Sequence, residues 1–437
     1  MNSNLLLAFY GDDFTGSTDA LEFLCRAGAK TMLFIEPPTP EQLKEYPGLQ
    51  AIGVAGKTRS MTPEAMEEIL QPAFEQLKLL SPRHVHYKVC STFDSSPTTG
   101  SIGKAIETGL KVFQQPIVPL LVAAPSLGRY CLFGNLFARM GIGSDGNIFR
   151  LDRHPSMSKH PVTPADESDL RLHLAKQTSL TVELLDIFQV DKPIEEQKKI
   201  VEEFIQERAA VLLIDALYES QLLSIGELID GYARESSLYS VGSSGIEMAL
   251  GKYWNANGCL SSPANWEEPG EASPLLVISG SCSPVTAAQI EWAKANGFED
   301  LTVDITKPIH HQEIQATIAR LMAYIQQGRS VILHTGEKQL QQLSSEMAGT
   351  ILGTIAREAV MSSGLKRLVI AGGDTSSYAA RALEITAVEM IAPFVPGAPL
   401  CKAFSPNKAI NGLEVNFKGG QVGAANYFGV MKEGKLI

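Results

Sequence analysis

The sequence predicts an α/β protein of two domains, each a mostly parallel sheet flanked by helices. Three observations predict it. The chain has 437 residues, more than one typical core accommodates. Short runs that are apolar on both faces alternate with helical patterns, as in sheets covered on both sides. Residues 255–274, NANGCLSSPANWEEPGEASP, interrupt that rhythm with Asn, Ser, Pro, Gly and Glu. Residues 1–254 and 275–437 are therefore expected to be separate domains joined by a linker.

The elements follow in order. LLLAFYG (5–11), TMLFIE (31–36), AIGVAG (51–56), HVHYKVC (84–90) and LLVAAPS (120–126) read as buried strands. PEAMEEILQPAFEQLKLL (63–80) reads as a helix between two of them. EQKKIVEEFIQERAA followed by VLLID repeats the pattern, and VGSSGIEMAL (241–250) gives a glycine turn into a helix. After the linker, LLVISGS (275–281), LTVDI (301–305), SVILHTG (330–336) and RLVIAGG (367–373) restart it.

Composition narrows the function. The chain is 44% hydrophobic and 19% charged, ordinary for a globular protein, and its net charge is −11. With no basic block, nucleic acid and anionic membrane surfaces are not expected partners. The six cysteines are scattered, with no CxxC, which suggests a reducing compartment. No signal core and no bilayer-length apolar run occur, so a cytoplasmic location is expected. Whether the chain forms a homodimer stays open.

Ligands of open α/β sheets bind beyond the carboxyl ends of the strands. Those ends read GDDFTGS, GKTRS, CSTFDSS, PSLGR, SGSCS, HTGE and AGGDTSS. Such glycine- and hydroxyl-rich turns suit oxyanions, because backbone N–H groups at helix starts can cradle phosphate or carboxylate. In GDDFTGSTD a helix cap explains one acid. The second suits a general base, a Mg²⁺ ligand or a hydroxyl acceptor. AGGDTSS and SGSCSPVTAAQ each carry a strand into a small polar turn and a helix, with a capped turn as the alternative. FKGGQVG (417–423) holds phosphate or turns a hairpin. No GxxxxGK[ST], GxGxxG or HExxH occurs, which disfavours a Walker loop, a dinucleotide fold and a zinc hydrolase.

Together these segments resemble the four-carbon acid sugar kinases over nearly the whole chain. YGDDFTGSTDA is similar to the family's A-D-D-x-T-G-A-x-D signature, KTRS to its T-x-S-R region and APSLGRYCLFGNLF to its P-A-x-P-x-x-G-R segment. SGSCSPVTAAQI, AGGDTSS, FVPGAPLC and FKGGQVG follow the order of its nucleotide domain. The resemblance implies ATP-dependent phosphorylation of a hydroxyl on a small sugar acid. The acid domain would be N-terminal and the ATP domain C-terminal, facing each other across a cleft, with Mg²⁺ as the metal cofactor. It implies Asp12 or Asp13 as the catalytic base. Thr15, Arg59, Lys88, Ser91 and Arg129 would bind the acid, the arginines gripping its carboxylate. Ser279, Ser281, Gly372, Gly373, Asp374, Thr375, Gly397, Gly419 and Gly420 would hold ATP. Metal ligands are not assigned.

One segment departs from the family. Where it has K-x-D-S-T-x-R-G, this chain reads KVCSTFDS, so Cys90 replaces the acid and Asp94 the arginine. A branched oxo-acid such as 3-oxo-isoapionate is therefore kept beside 3-oxo-tetronate as the expected substrate. Two other classes stay open. An NAD-linked oxidoreductase would need the missing glycine fingerprint. A non-catalytic binding protein would have no need of the paired acids.

Overall fold

The computed structural model describes residues 5–140, 146–160, 162–233, 236–304, 311–336 and 345–436. The chain divides into two compact units. The first comprises Met1–Asp12, Phe23–Thr31 and Glu36–Pro263; the second comprises Asp13–Glu22, Met32–Ile35 and Ala264–Ile437. The expected α/β organisation, a mostly parallel sheet flanked by helices, is present in each. The division also runs between Asp12 and Asp13, which linear sequence could not show.

In the first unit seven parallel strands lie in the order Ala51–Ala55, Leu7–Gly11, His84–Lys88, Leu238–Gly242, Val118–Leu121, Val211–Ile214, Val182–Leu185. The central ones are buried along their whole length, which is why they read as apolar without alternation. The helix expected at 63–80 spans Pro63–Leu79, with Thr62 as its cap and Met66, Leu70, Phe74 and Leu77 buried at helical spacing. A small antiparallel sheet of Arg129–Leu132, Asn135–Arg139 and Ile148–Arg150 was not foreseen. Its strands are four, five and three residues long, too short to carry a period.

In the second unit Glu299–Thr302, Val331–His334, Leu276–Ser279, Arg367–Ala371 and Glu414–Lys418 are parallel. Ala398–Phe404 and Ala387–Val395 continue antiparallel, and Met32–Phe34 pairs with the latter. FKGG is thus no hairpin. It leaves the carboxyl end of a strand that lies parallel to Arg367–Ala371, so both strands deliver glycines to the same edge. Leu275, Val277, Ile332, Val369, Phe394, Leu400 and Phe428 form the core beneath that edge.

Candidate active site

Asp12 follows the Leu7–Gly11 strand and is 3% exposed. Its N–H donates to the Lys88 carbonyl at 2.8 Å, and its own carbonyl accepts the Arg59 N–H at 3.0 Å. Its carboxylate accepts Arg59 Nε at 3.0 Å and Nη2 at 2.7 Å, a two-pronged pair. Arg59, expected as a carboxylate grip, therefore carries an internal carboxylate on that face. Asp13 differs. Its Oδ1 accepts the Gly16 N–H at 2.6 Å and its Oδ2 the Thr15 hydroxyl at 2.9 Å, so it caps the Phe14–Arg26 helix.

Within the second unit, Asp13 and Thr15 lie against the AGGDTSS turn. A Cβ placed on Gly373 would stand 3.6 Å from Asp13 Oδ2 and 3.5 Å from Thr15 Oγ1. Phe14 packs on Phe417 with ring centroids 4.4 Å apart, which seats that helix start beside the FKGG segment.

The glycine turns converge on Ser281. Gly372 has φ +119°, a conformation that side-chain-bearing residues rarely adopt, and a Cβ there would approach Thr375 Oγ1 to 2.9 Å and the Ser281 nitrogen to 3.5 Å. A Cβ on Gly420 would lie 2.8 Å from Ser281 Oγ and 3.1 Å from Ser283 Cβ. Ser281 N–H donates to Ser279 Oγ at 3.3 Å. Two helices begin here, Pro284–Ala295 capped by Ser283 and Gly373–Ala382 after Gly372, so their N-terminal amides face one small area. Asp374 is exposed in the first turn of the second helix, and Thr375 is buried. This cradle suits a polyphosphate: its floor is backbone, and added carbon atoms would fill it. The phosphates of a nucleotide therefore fit the residues present.

Gly397 does not join this group. It turns the hairpin between Ala387–Val395 and Ala398–Phe404, and its N–H donates to Glu22 Oε2 at 2.8 Å. In the first unit, Arg129 is buried and its Nη1 donates to the carbonyls of Leu127, Gly128 and Arg139. Lys88 is 1% exposed and donates to the Val89 carbonyl; Ser91 is buried nearby in the same loop. Burial and the neighbouring Asp94 push the Cys90 thiol up to about 11, so Cys90 is no nucleophile at neutral pH.

Sequence reasoning missed two features. His173, 8% exposed, and Asp94 line a small pocket with Thr92, Thr163 and Glu167, and both His173 Nδ1 and Asp94 Oδ1 lack hydrogen-bond partners among the described residues. Lys418 is fully buried directly before the glycines of FKGG. The lysine was visible as a motif member, but its burial depends on the helices laid over the strand. Among the described residues, no three His, Cys, Asp or Glu side chains gather to hold a metal ion, and no helix is long and apolar enough to cross a membrane.

Known proteins resemble the chain over nearly its whole length. Residues 7–250 match the sugar-binding N-terminal domain family, and residues 276–428 match the nucleotide-binding C-terminal domain family. A curated 3-oxo-isoapionate kinase of Paraburkholderia graminis is 39% identical, covering 99% of this chain and 95% of its own. A 3-oxo-tetronate kinase of Pseudomonas fluorescens is 28% identical, covering 98% of this chain and 96% of its own. A solved protein of Salmonella typhimurium LT2 shares the fold at TM-score 0.79 and 24% identity, covering 99% of this chain and all of that one. One from Haemophilus influenzae shares it at TM-score 0.71 and 21% identity, covering 97% and 98%. With both domain families matched in order and a full-length relative at this identity, the chain belongs to the four-carbon acid sugar kinase family.

Proposed function

We propose that this protein transfers the γ-phosphoryl group of ATP to a hydroxyl of a small 3-oxo sugar acid. The observation that carries the reading is the approach of the Asp13 carboxylate to Gly373, beside the cradle formed around Ser281. A carboxylate next to a phosphate cradle is what in-line transfer to an alcohol requires, since such enzymes act mainly by positioning and charge stabilisation.

In this reading the amides around Ser281, Gly372–Thr375 and Gly419–Gly420 bind the phosphates. Mg²⁺ supplies charge neutralisation between them. A metal that arrives with the nucleotide would need no all-protein cage. Asp13 orients the acceptor hydroxyl and takes its proton as the oxygen–phosphorus bond forms. Asp12 holds Arg59 in a single orientation, and Arg59 faces the acid's carboxylate. Lys88, Ser91 and Arg129 shape the loops around the acid.

The substrate reading favours a branched 3-oxo acid, as in the Paraburkholderia graminis relative. Asp94 supports a changed substrate, because a carboxylate accepts hydrogen bonds from hydroxyls where the family's arginine would grip an anion. The test is release of ADP from Mg·ATP by the purified chain with 3-oxo-isoapionate, 3-oxo-tetronate, threonate and erythronate. Turnover is expected, highest with 3-oxo-isoapionate. No turnover with any acid, together with no ATP binding by calorimetry, would sink the kinase reading; preference for an unbranched acid would sink the substrate assignment alone.

A further inference from the structure

Lys418 ends the Glu414–Lys418 strand immediately before Gly419 and Gly420, and it is 0% exposed. An ammonium carries three protons. Here Nζ donates to Thr286 Oγ1 at 3.0 Å, and Thr286 in turn donates to the Gly420 carbonyl at 2.9 Å. The Tyr427 ring lies 5.6 Å from Nζ. The titratable groups turned towards it are few. Tyr427, from the Tyr427–Glu433 helix, spends its hydroxyl on Asn416 at 2.8 Å, and burial pushes that hydroxyl well above the usual tyrosine range. Glu22, felt at Tyr427, accepts the Gly397 N–H. The Pro284–Ala295 helix presents Thr286, a neutral hydroxyl, and the neighbouring strand presents Ala371. Among the described residues, no carboxylate forms an ion pair with Lys418.

A charged amine in that position costs more than its hydrogen bonds return, because burying an unpaired ion is expensive. Burial alone accordingly lowers Lys418 to about 7. Yet the side chain sits under the Gly419–Gly420 loop, where a Cβ added to Gly420 would stand 2.8 Å from Ser281 Oγ and 3.1 Å from Ser283 Cβ, and that loop faces anions in the reading above, on which this inference rests. A polyphosphate over the loop would bring negative charge near Nζ in a poorly solvated setting, where such charge acts strongly.

We propose that Lys418 is a neutral amine in the nucleotide-free protein and becomes an ammonium when a polyphosphate settles over Gly419 and Gly420, taking its proton from solvent. Lys418 is then a positioning residue. Through Thr286 it holds the loop, and when charged it completes the field that retains the phosphates. It also makes nucleotide binding a proton-uptake event.

The experiment is calorimetric titration of the full chain with Mg·ATP, Mg·ADP and adenosine at about pH 8, where nucleotide phosphates are already deprotonated. Each is run in two buffers of different ionisation enthalpy, which reads protons exchanged on binding. Uptake approaching about one proton per nucleotide is expected with ATP and ADP, and none with adenosine. Lys418→Met keeps the length and removes the amine. It is expected to abolish the uptake, weaken ATP about tenfold or more, and leave the nucleotide-free melting temperature unlowered, since an apolar side chain is no worse in that setting. ATP binding without proton uptake, or equal uptake in Lys418→Met, overturns the proposal and leaves the kinase reading standing. Absence of any ATP binding overturns both.

Discussion

Asp13 accepts the Gly16 amide through one oxygen and the Thr15 hydroxyl through the other, while Asp12 is buried against the Arg59 guanidinium. The environments differ, so the consequences of substitution differ. Asparagine caps helices about as well as aspartate. Asp13→Asn should therefore fold normally and bind ATP within a few-fold of the parent, while turnover falls about 10²- to 10⁴-fold, the usual range for losing a general base. Steady-state kinetics beside calorimetric ATP titration checks this. A variant that turns over at the parent rate, or fails to bind ATP, removes Asp13 from the base position. Sequence alone left the choice between the two acids open. The residues that separate them, Arg59 for one and Gly373 for the other, lie 47 and 360 positions away, and only folding brings them close.

At the scale of elements, the cradle depends on three turns meeting at one sheet edge. The Arg367–Ala371 and Glu414–Lys418 strands are parallel and in register, Ala371 opposite Lys418, so their glycines leave at the same height. A Cβ at Gly420 would meet Ser281 Oγ at 2.8 Å, closer than real contacts allow. Gly420→Ala should push the loop away from Ser281 and weaken Mg·ATP about tenfold, or ~1.4 kcal/mol, with circular dichroism unchanged. ATP titration of the variant reads it; unaltered affinity would remove Gly420 from the phosphate cradle. The glycine motifs were legible because strand ends are where such folds bind ligands. Gly397 was legible by the same logic and is used differently: its amide belongs to a hairpin and to Glu22. A glycine in a polar turn looks the same whether its N–H meets a ligand or a side chain of its own chain.

At the scale of the molecule, the first unit contains a buried polar knot that composition does not reveal. Asp230 accepts Arg83 Nε at 2.7 Å and Nη2 at 2.6 Å, Trp254 Nε1 at 3.0 Å, and pairs with His84 Nε2 at 3.0 Å. It ties the start of the His84–Lys88 strand to the Gln221–Tyr232 and Gly245–Ala256 helices. Burial raises the Asp230 carboxyl, but hydrogen bonds from His84, Arg83 and Trp254 outweigh that and hold it well below the usual range. Burial also lowers His84, so the ring is neutral and donates through Nε2. A depressed folded-state carboxyl contributes stability that is fully present above its unfolded value, about 3.9, and is lost as pH falls through the folded value. Asp230→Asn should therefore cost about 3 kcal/mol at neutral pH, and the gap in melting temperature from the parent should close only below about pH 4. A gap that stays constant down to about pH 3 would show that Asp230 contributes no charge-dependent stability.

What the sequence by itself determined is the alternation of buried strands and helices, the acids and glycines at the strand ends, and the family those segments spell out. Each is a local pattern, set by periodicity and by turn chemistry within a dozen residues. Only the tertiary structure decided which acid lies by the glycine turns, which guanidiniums are already occupied, that Gly397 serves a hairpin, and that Lys418 is entombed beneath those turns. Those outcomes depend on burial and on partners far away in the chain. Burial sets the cost of a charge, and a partner sets whether that cost is met, and neither is written in the residues adjoining the group.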